Sequence, residues 1–264
     1  MQDYKNPRLI VDSTQTSPGK AAWRSPSNLA LIKYWGKYGQ QLPKNPSISF
    51  TLKNAFTETV LEYRPKIGNE TAIQLNFFFQ GQDNEAFKTK ILEFLGSISD
   101  IFPFIRQMEW TMHTRNSFPH SAGIASSASA MSALALCLCS VEHELFGTLK
   151  DKKDFFQKAS YIARLGSGSA CRSLYPRIAV WGETGLIPGS SNLFAVPFYE
   201  TVHDVFYTFH DDILLISQGE KSVSSRAGHG LMDGNIYAEN RYAQARQRMH
   251  ELTGAMQAGD LETF

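Results

Sequence analysis

The run from Ala128 to Val141, Ala-Ser-Ala-Met-Ser-Ala-Leu-Ala-Leu-Cys-Leu-Cys-Ser-Val, carries no charged residue. It reads as a helix apolar all round, and such a helix has to be enclosed, so the rest of the chain must wrap it. Its most apolar part, Ala128 to Leu138, is well short of the ~18 residues of a membrane helix and is interrupted by Ser129 and Ser132. No membrane partner is expected. At 264 residues the chain sits near the size, about 250 to 300 residues, at which single cores stop growing, so one large or two smaller lobes are permitted.

Lys and Arg total 26 against 25 Asp and Glu, a net charge of +1, which offers no field to hold nucleic acid. Cys137, Cys139 and Cys171 lack metal-site spacing, and two of them lie inside the apolar run. They predict reduced core thiols and a cytoplasmic protein. Residues Met1 to Lys5 lack the charged-then-apolar order of a signal peptide. The histidines show no H-E-x-x-H spacing, so no zinc site is assigned, and His113 and His203 read as structural.

Phe56 to Tyr63 and Ala72 to Phe77 alternate apolar and polar residues around a Pro/Gly/Asn turn and read as paired strands. Phe87, Ile91, Phe94, Leu95 and Ile98 recur at helical spacing over residues 84–98; Met108, Trp110 and Met112 then alternate as in a strand. Asp151 to Leu165 is again helical, Ile178 to Trp181 and Ile213 to Ser217 suit short buried strands, and Tyr242, Ala245, Met249, Leu252 and Met256 mark an amphipathic helix ending near Gly259. Helices and strands intermix, so the class is α+β. Asp260 to Phe264 reads as the first turn of a further helix, which predicts that the sequence is shorter than the natural folding unit.

Four segments could carry chemistry. Pro119 to Ala128 leads small residues into the apolar helix, where unpaired N–H groups and the helix dipole attract phosphate; a close-packed turn is the competing reading. Lys33 and Lys37 flank Tyr34 and Trp35; on a helical turn both ammonium groups would leave one face and grip phosphoryl oxygens, although a lysine-bearing surface helix is commoner. Gly166 to Ser173 places hydroxyls beside Arg172, a planar fork for carboxylate or phosphate, and reads equally as a glycine-terminated helix followed by a capping serine. Lys221 to His229 fits an anion site or a capped surface helix.

In order and wording, Asn28-Leu29-Ala30-Leu31-Ile32-Lys33-Tyr34-Trp35-Gly36-Lys37, then Pro43-x-Asn45-x-Ser47-x-Ser49-x-Thr51, then the Pro119 to Ser127 loop, then Gly166-Ser167-Gly168-Ser169-Ala170-Cys171-Arg172-Ser173, resemble the diphosphomevalonate decarboxylase family of the GHMP kinase superfamily. The resemblance spans roughly residues 20–264. It implies a two-lobed GHMP kinase fold: an ATP-binding lobe over residues 1–190, of the ribosomal protein S5 domain 2 type, and an incomplete ferredoxin-like lobe over 191–264. Further implications are ATP-dependent decarboxylation of mevalonate 5-diphosphate with ATP and Mg²⁺, and a homodimer. Carried over position by position, Gly123, Ala125, Ser126 and Ser127 would hold ATP. Lys33 would lie near the reacting hydroxyl, and Tyr34 and Lys37 near the diphosphate. Ser167, Ser169 and Arg172 would meet the carboxylate end, with Lys33 and Arg172 catalytic. Ser225 and Arg226 would touch phosphate oxygens.

Three departures stand out. Pro176-Arg177 replaces a frequent Gly-Gly and is expected to stiffen or re-aim the next strand. His229 stands where methionine is frequent. The family's essential aspartate falls beyond Phe264, and Asp211, Asp212 and Asp233 do not match its motif, so no catalytic base is assigned. The alternatives are a related small-molecule kinase of the same fold and a non-catalytic ligand-binding fragment lacking that aspartate.

Overall fold

The computed structural model describes residues 4–68, 70–119, 124–212 and 225–264, with residues 225–227 described by backbone alone. Its frame is a mixed sheet. Strand β1 (Gly19–Ile32) is followed by a small hairpin of β2 (Lys37–Tyr38) and β3 (Leu42–Pro43), then by the long strand β4 (Ser47–Pro65). Next come β5 (Gln74–Phe79), β6 (Gln82–Asp83), helix α1 (Glu85–Ser97) and β7 (Met108–Asn116). Helices α2 (Ser126–Phe146) and α3 (Lys152–Gly166) precede β8 (Ile178–Trp181) and β9 (Ala195–Pro197), and α4 (Ser225–Gly230) and α5 (Ala238–Ala258) close the order.

One edge of β4 pairs with β1 along most of its length; the other is shared between β7, on residues 57–65, and β8, on residues 47–50. The two strands expected to pair, in β4 and β5, are not neighbours. β7 lies between them, antiparallel to β4 and parallel to β5. The crossover through α1 returns the chain parallel to β5, and Met108, Trp110 and Met112, at most 1% exposed, seat β7 in the middle of the sheet. Alternation identifies strands but not partners. In β1 the register slips between Pro26 and Ser27, as expected where a proline interrupts a strand with one partner.

Asn84 caps α1 by accepting from the Phe87 amide, and the Asp151 carboxylate caps α3 by accepting from the amides of Lys153 and Asp154. Both starts follow the sequence expectation. Helix α2 runs five residues past Val141 to a left-handed cap at Gly147, φ +63°. At 21 residues it is long and apolar enough to cross a bilayer, which the Ala128–Leu138 run alone did not suggest, but 61% of its apolar window is buried inside the protein. It is enclosed by the sheet and α3 in one core with Leu61, Trp110, Leu134, Leu138 and Ile162.

A second core joins Ile32, Ile48, Ile178 and Val180 to Ala245, Met249 and Met256 of α5. Because strand side chains alternate, the opposite face of the same β4–β8 pair presents Ser47, Ser49 and Trp181. The strand after Pro176-Arg177 keeps its register with β4; Arg177 itself takes φ +63°, a conformation suited to glycine, with its guanidinium 4.3 Å from the Tyr207 ring centroid. His113 stacks on Phe78 at 4.8 Å, and His203 accepts from the Val205 amide, as structural histidines should. The strand expected at Ile213 to Ser217 lies outside the described residues. Asp260 accepts from the amides of Glu262 and Thr263, forming the expected turn.

Candidate functional site

Arg172 is 1% exposed in the 3₁₀ turn Gly168–Arg172 that follows α3. Its Nε donates to the Ser49 hydroxyl at 3.0 Å, Nη2 to the Asn28 amide oxygen at 3.1 Å, and Nη1 to the Ser47 hydroxyl. All three partners are neutral and buried. No carboxylate among the described residues pairs with this guanidinium, and burial pulls its pKa down, yet an arginine stays charged in a protein. Of its five N–H groups, these bonds occupy three. A buried cation with donors to spare is chemically set to receive an anion with two acceptor oxygens.

The same turn is fixed from below by Asn28, whose amide nitrogen donates to the Ser169 carbonyl at 3.1 Å and to the Ser173 hydroxyl at 2.7 Å. Gly168 is required here. A Cβ would stand 2.9 Å from Trp181 and 3.2 Å from the Tyr34 hydroxyl, so the backbone can approach these rings only without a side chain.

The Lys33 to Lys37 segment is not helical. Residues 33–36 form the loop between β1 and β2, and Lys37 opens β2, so the two ammonium groups lie over different rings: Lys33 is exposed with Nζ 5.9 Å from the Trp35 ring, while Lys37 Nζ lies 5.8 Å from the Tyr34 ring and donates to Gln41 Oε1 at 2.6 Å. A strand running into a tight turn wins over helical spacing because Asn45 clamps the loop, accepting from the Trp35 amide at 3.0 Å and donating to the Lys33 carbonyl at 3.0 Å. Tyr34 is buried beneath it, 5.9 Å from the Arg172 guanidinium carbon, and burial pushes its hydroxyl up to about 12 against the opposing pull of Arg172. The His229 ring of α4 stacks on Tyr34 at 4.4 Å and hydrogen-bonds the Trp35 carbonyl through Nδ1 at 3.1 Å, so α4 closes over the cluster.

The N-terminus of α2 meets the same turn. Ala125, in the left-handed region at φ +50°, caps the helix without a side-chain bond, and the Ser127 and Ser167 hydroxyls stand 3.5 Å apart. The Ser27 hydroxyl of β1 donates to the Ile124 carbonyl and ties this entry to the sheet. A helix of 21 residues thus presents its N-terminus and positive dipole end beside Ser167. Gly123 lies outside the described residues; Ser225 and Arg226 begin α4, and only their backbone is described.

Lys37, Tyr34, Arg172, Ser127, Ser167 and Ser169 therefore come together, with Lys33 at the rim. A cleft of about 400 Å³, lined by Tyr38, Lys44, Asn45, Glu183, Tyr242 and Arg246 among others, opens behind the loop and includes none of those cationic or hydroxyl groups. Asn28, Asn45, Ser47 and Ser49 stand in the sequence motifs, but their part in the site emerges only in the fold. The available signal was the polar i, i+2 pair Ser47 and Ser49 in a strand whose other face is Ile48: two buried hydroxyls on one face call for a polar partner.

Residues 25–191 match the model of the diphosphomevalonate decarboxylase-like N-terminal domain. The chain is similar to the diphosphomevalonate decarboxylase of Eremothecium gossypii, at 30% identity over 92% of this chain and 62% of that protein, so it spans about three fifths of that relative's length. Its fold is similar to mevalonate diphosphate decarboxylase from Staphylococcus aureus, with TM-score 0.70, 27% identity and coverage of 96% of this chain and 71% of that one. A complex of MDDEF with MVAPP, AMPPCP and magnesium gives TM-score 0.69 and 28% identity over 93% of this chain and 70% of that one. A family match over residues 25–191, a span that includes Arg172 and the start of α2, means that the protein belongs to the diphosphomevalonate decarboxylase family.

Proposed function

We propose that the protein acts in the ATP-dependent decarboxylation of mevalonate 5-diphosphate to isopentenyl diphosphate, with release of ADP, phosphate and carbon dioxide. The observation that carries this reading is Arg172, a buried guanidinium with spare donors and no carboxylate partner among the described residues, on the same aromatic ring as Lys37. In this reading Arg172, with Ser167 and Ser169, holds the substrate carboxylate. Tyr34, Lys37, Ser225 and Arg226 take the diphosphate, and Lys33 stands near the tertiary hydroxyl. Gly123, Ala125, Ser126 and Ser127 hold the ATP phosphates at the start of α2.

The chemistry suits such a site. After phosphorylation of the tertiary hydroxyl, the C–O bond to phosphate breaks and the electron pair of the carboxylate C–C bond becomes the alkene. Fixed cations around the departing oxygens and a carboxylate held in the correct plane lower that barrier. Magnesium, which accompanies ATP in this reading, would be carried by nucleotide phosphate oxygens near the Ser126 and Ser127 hydroxyls. Bound there it would neutralise phosphoryl charge. A homodimer belongs to the same reading by family analogy, and a cytoplasmic location by the three buried free thiols.

Incubating the chain with Mg-ATP and mevalonate 5-diphosphate tests it, with carbon dioxide and ADP measured together. Equimolar release supports decarboxylation. ADP without carbon dioxide identifies a kinase, and calorimetric binding of both ligands without turnover identifies a ligand-binding unit.

A further inference from the structure

Arg164 of α3 is a second buried guanidinium, 1% exposed, and no carboxylate among the described residues pairs with it. Its Nε donates to the Leu193 carbonyl at 2.7 Å, Nη1 donates to the Gln40 carbonyl, and its guanidinium carbon lies 4.9 Å from the Tyr161 ring. A buried charge held by carbonyls alone is an expensive way to fill a core position. The carbonyl it reaches in Gln40 is at the tip of the β2–β3 hairpin.

That hairpin has two residue pairs, Lys37 with Pro43 and Tyr38 with Leu42, too little for a stable unit in isolation. Its tip is held in a demanding conformation, with Gly39 at φ +50° and Gln41, which has a side chain, at φ +59°. Gln41 Oε1 is the acceptor of the Lys37 ammonium. Release of the Gln40 carbonyl would let the Gln41 backbone relax and carry the acceptor away from Lys37.

We infer that Arg164 is a positioning residue for the cationic site: it pins the Gln40 carbonyl so that Gln41 holds Lys37 over Tyr34. The inference deepens the proposed function, on which its effect on ligand binding rests. A lysine at 164 would keep the charge but could not span the Gln40 and Leu193 carbonyls with one planar fork.

The test uses Arg164→Lys and Gln41→Ala in the full chain, the second being a change at a half-buried turn residue that belongs to neither core. Inorganic pyrophosphate is the calorimetric probe. Each variant should weaken its binding about tenfold, the equivalent of one charge-assisted hydrogen bond, and the double variant should weaken it no further. Affinity for an ATP analogue should stay unchanged. Acetylation of Lys37 by a water-soluble ester, followed by peptide mass spectrometry, should accelerate in both variants while other lysines keep their rates. An unchanged Lys37 acetylation rate in folded Arg164→Lys, or additive losses in the double variant, overturns the inference. If the unsubstituted chain fails to bind pyrophosphate, the proposed function loses its support, whereas faster Lys37 acetylation in both variants still sustains the positioning role.

Discussion

The hydroxyl of Tyr242 presses against Gly36: a Cβ on that glycine would stand 2.2 Å from the phenol oxygen. Helix α5 thereby packs directly on the loop that carries Tyr34 and Lys37. The contact comes with a defect, because the Tyr242 hydroxyl is buried and has no hydrogen-bond partner among the described residues. Gly36→Ala should cost about 1–3 kcal/mol through overpacking and disturb the loop. Tyr242→Phe removes only the unsatisfied group and should be neutral or stabilising by up to about 1 kcal/mol. Urea unfolding checks both, and a clear loss of stability in Tyr242→Phe would show that the hydroxyl has a partner in solution.

Arg172→Ala should destabilise the fold by about 3 kcal/mol or more, since it strands the buried oxygens of Asn28, Ser47 and Ser49. Lost activity in that variant is therefore ambiguous. Arg172→Lys preserves the charge without the fork; it should keep the fold and reduce decarboxylation at least about 100-fold while ATP affinity changes little. Equal losses of ATP affinity would remove Arg172 from the substrate side of the site.

Ser127→Glu should move stability and nucleotide binding in opposite directions. A carboxylate in the first turn of α2 favours the helix by about 0.3–1 kcal/mol, so thermal unfolding should hold or rise. The same charge should repel nucleotide phosphates and weaken ATP binding about tenfold or more. Unchanged ATP affinity would place the nucleotide elsewhere.

His229 is held below its ordinary value of 6.5, first by burial and then by Lys37 and Lys33, against the upward pull of the Trp35 carbonyl. The folded state thus prefers the neutral ring. Its contribution to stability is complete above pH about 6.5 and is lost as pH falls through the folded value, where the unfolded chain binds the extra proton first. Unfolding free energy measured from pH 7.5 to 5 should fall on the acid side, and His229→Gln should flatten that limb. An unaltered curve would mean that the ring titrates normally.

Burial also pushes the thiols of Cys137 and Cys171 up to about 12. Aromatic disulfide reagents should leave the three cysteines unlabelled in the folded protein and react with them only on unfolding.

The sequence alone determined what depends on near neighbours. Helical spacing located α1, α3 and α5, alternation located β7, and an uncharged run of small and aliphatic residues required α2 to be enclosed, because periodicity and solvation act within a few residues. The short motifs likewise named Tyr34, Lys37, Ser127, Ser167 and Arg172. Only the tertiary structure decided which strand pairs with which, that the Lys33 to Lys37 segment is not a helix, and that Arg172 is gripped by Ser47 and Ser49, which precede it by 125 and 123 residues. A hydroxyl on one strand and a guanidinium beyond a distant helix acquire a relationship when the sheet register brings them within hydrogen-bond distance, and no local pattern encodes that register.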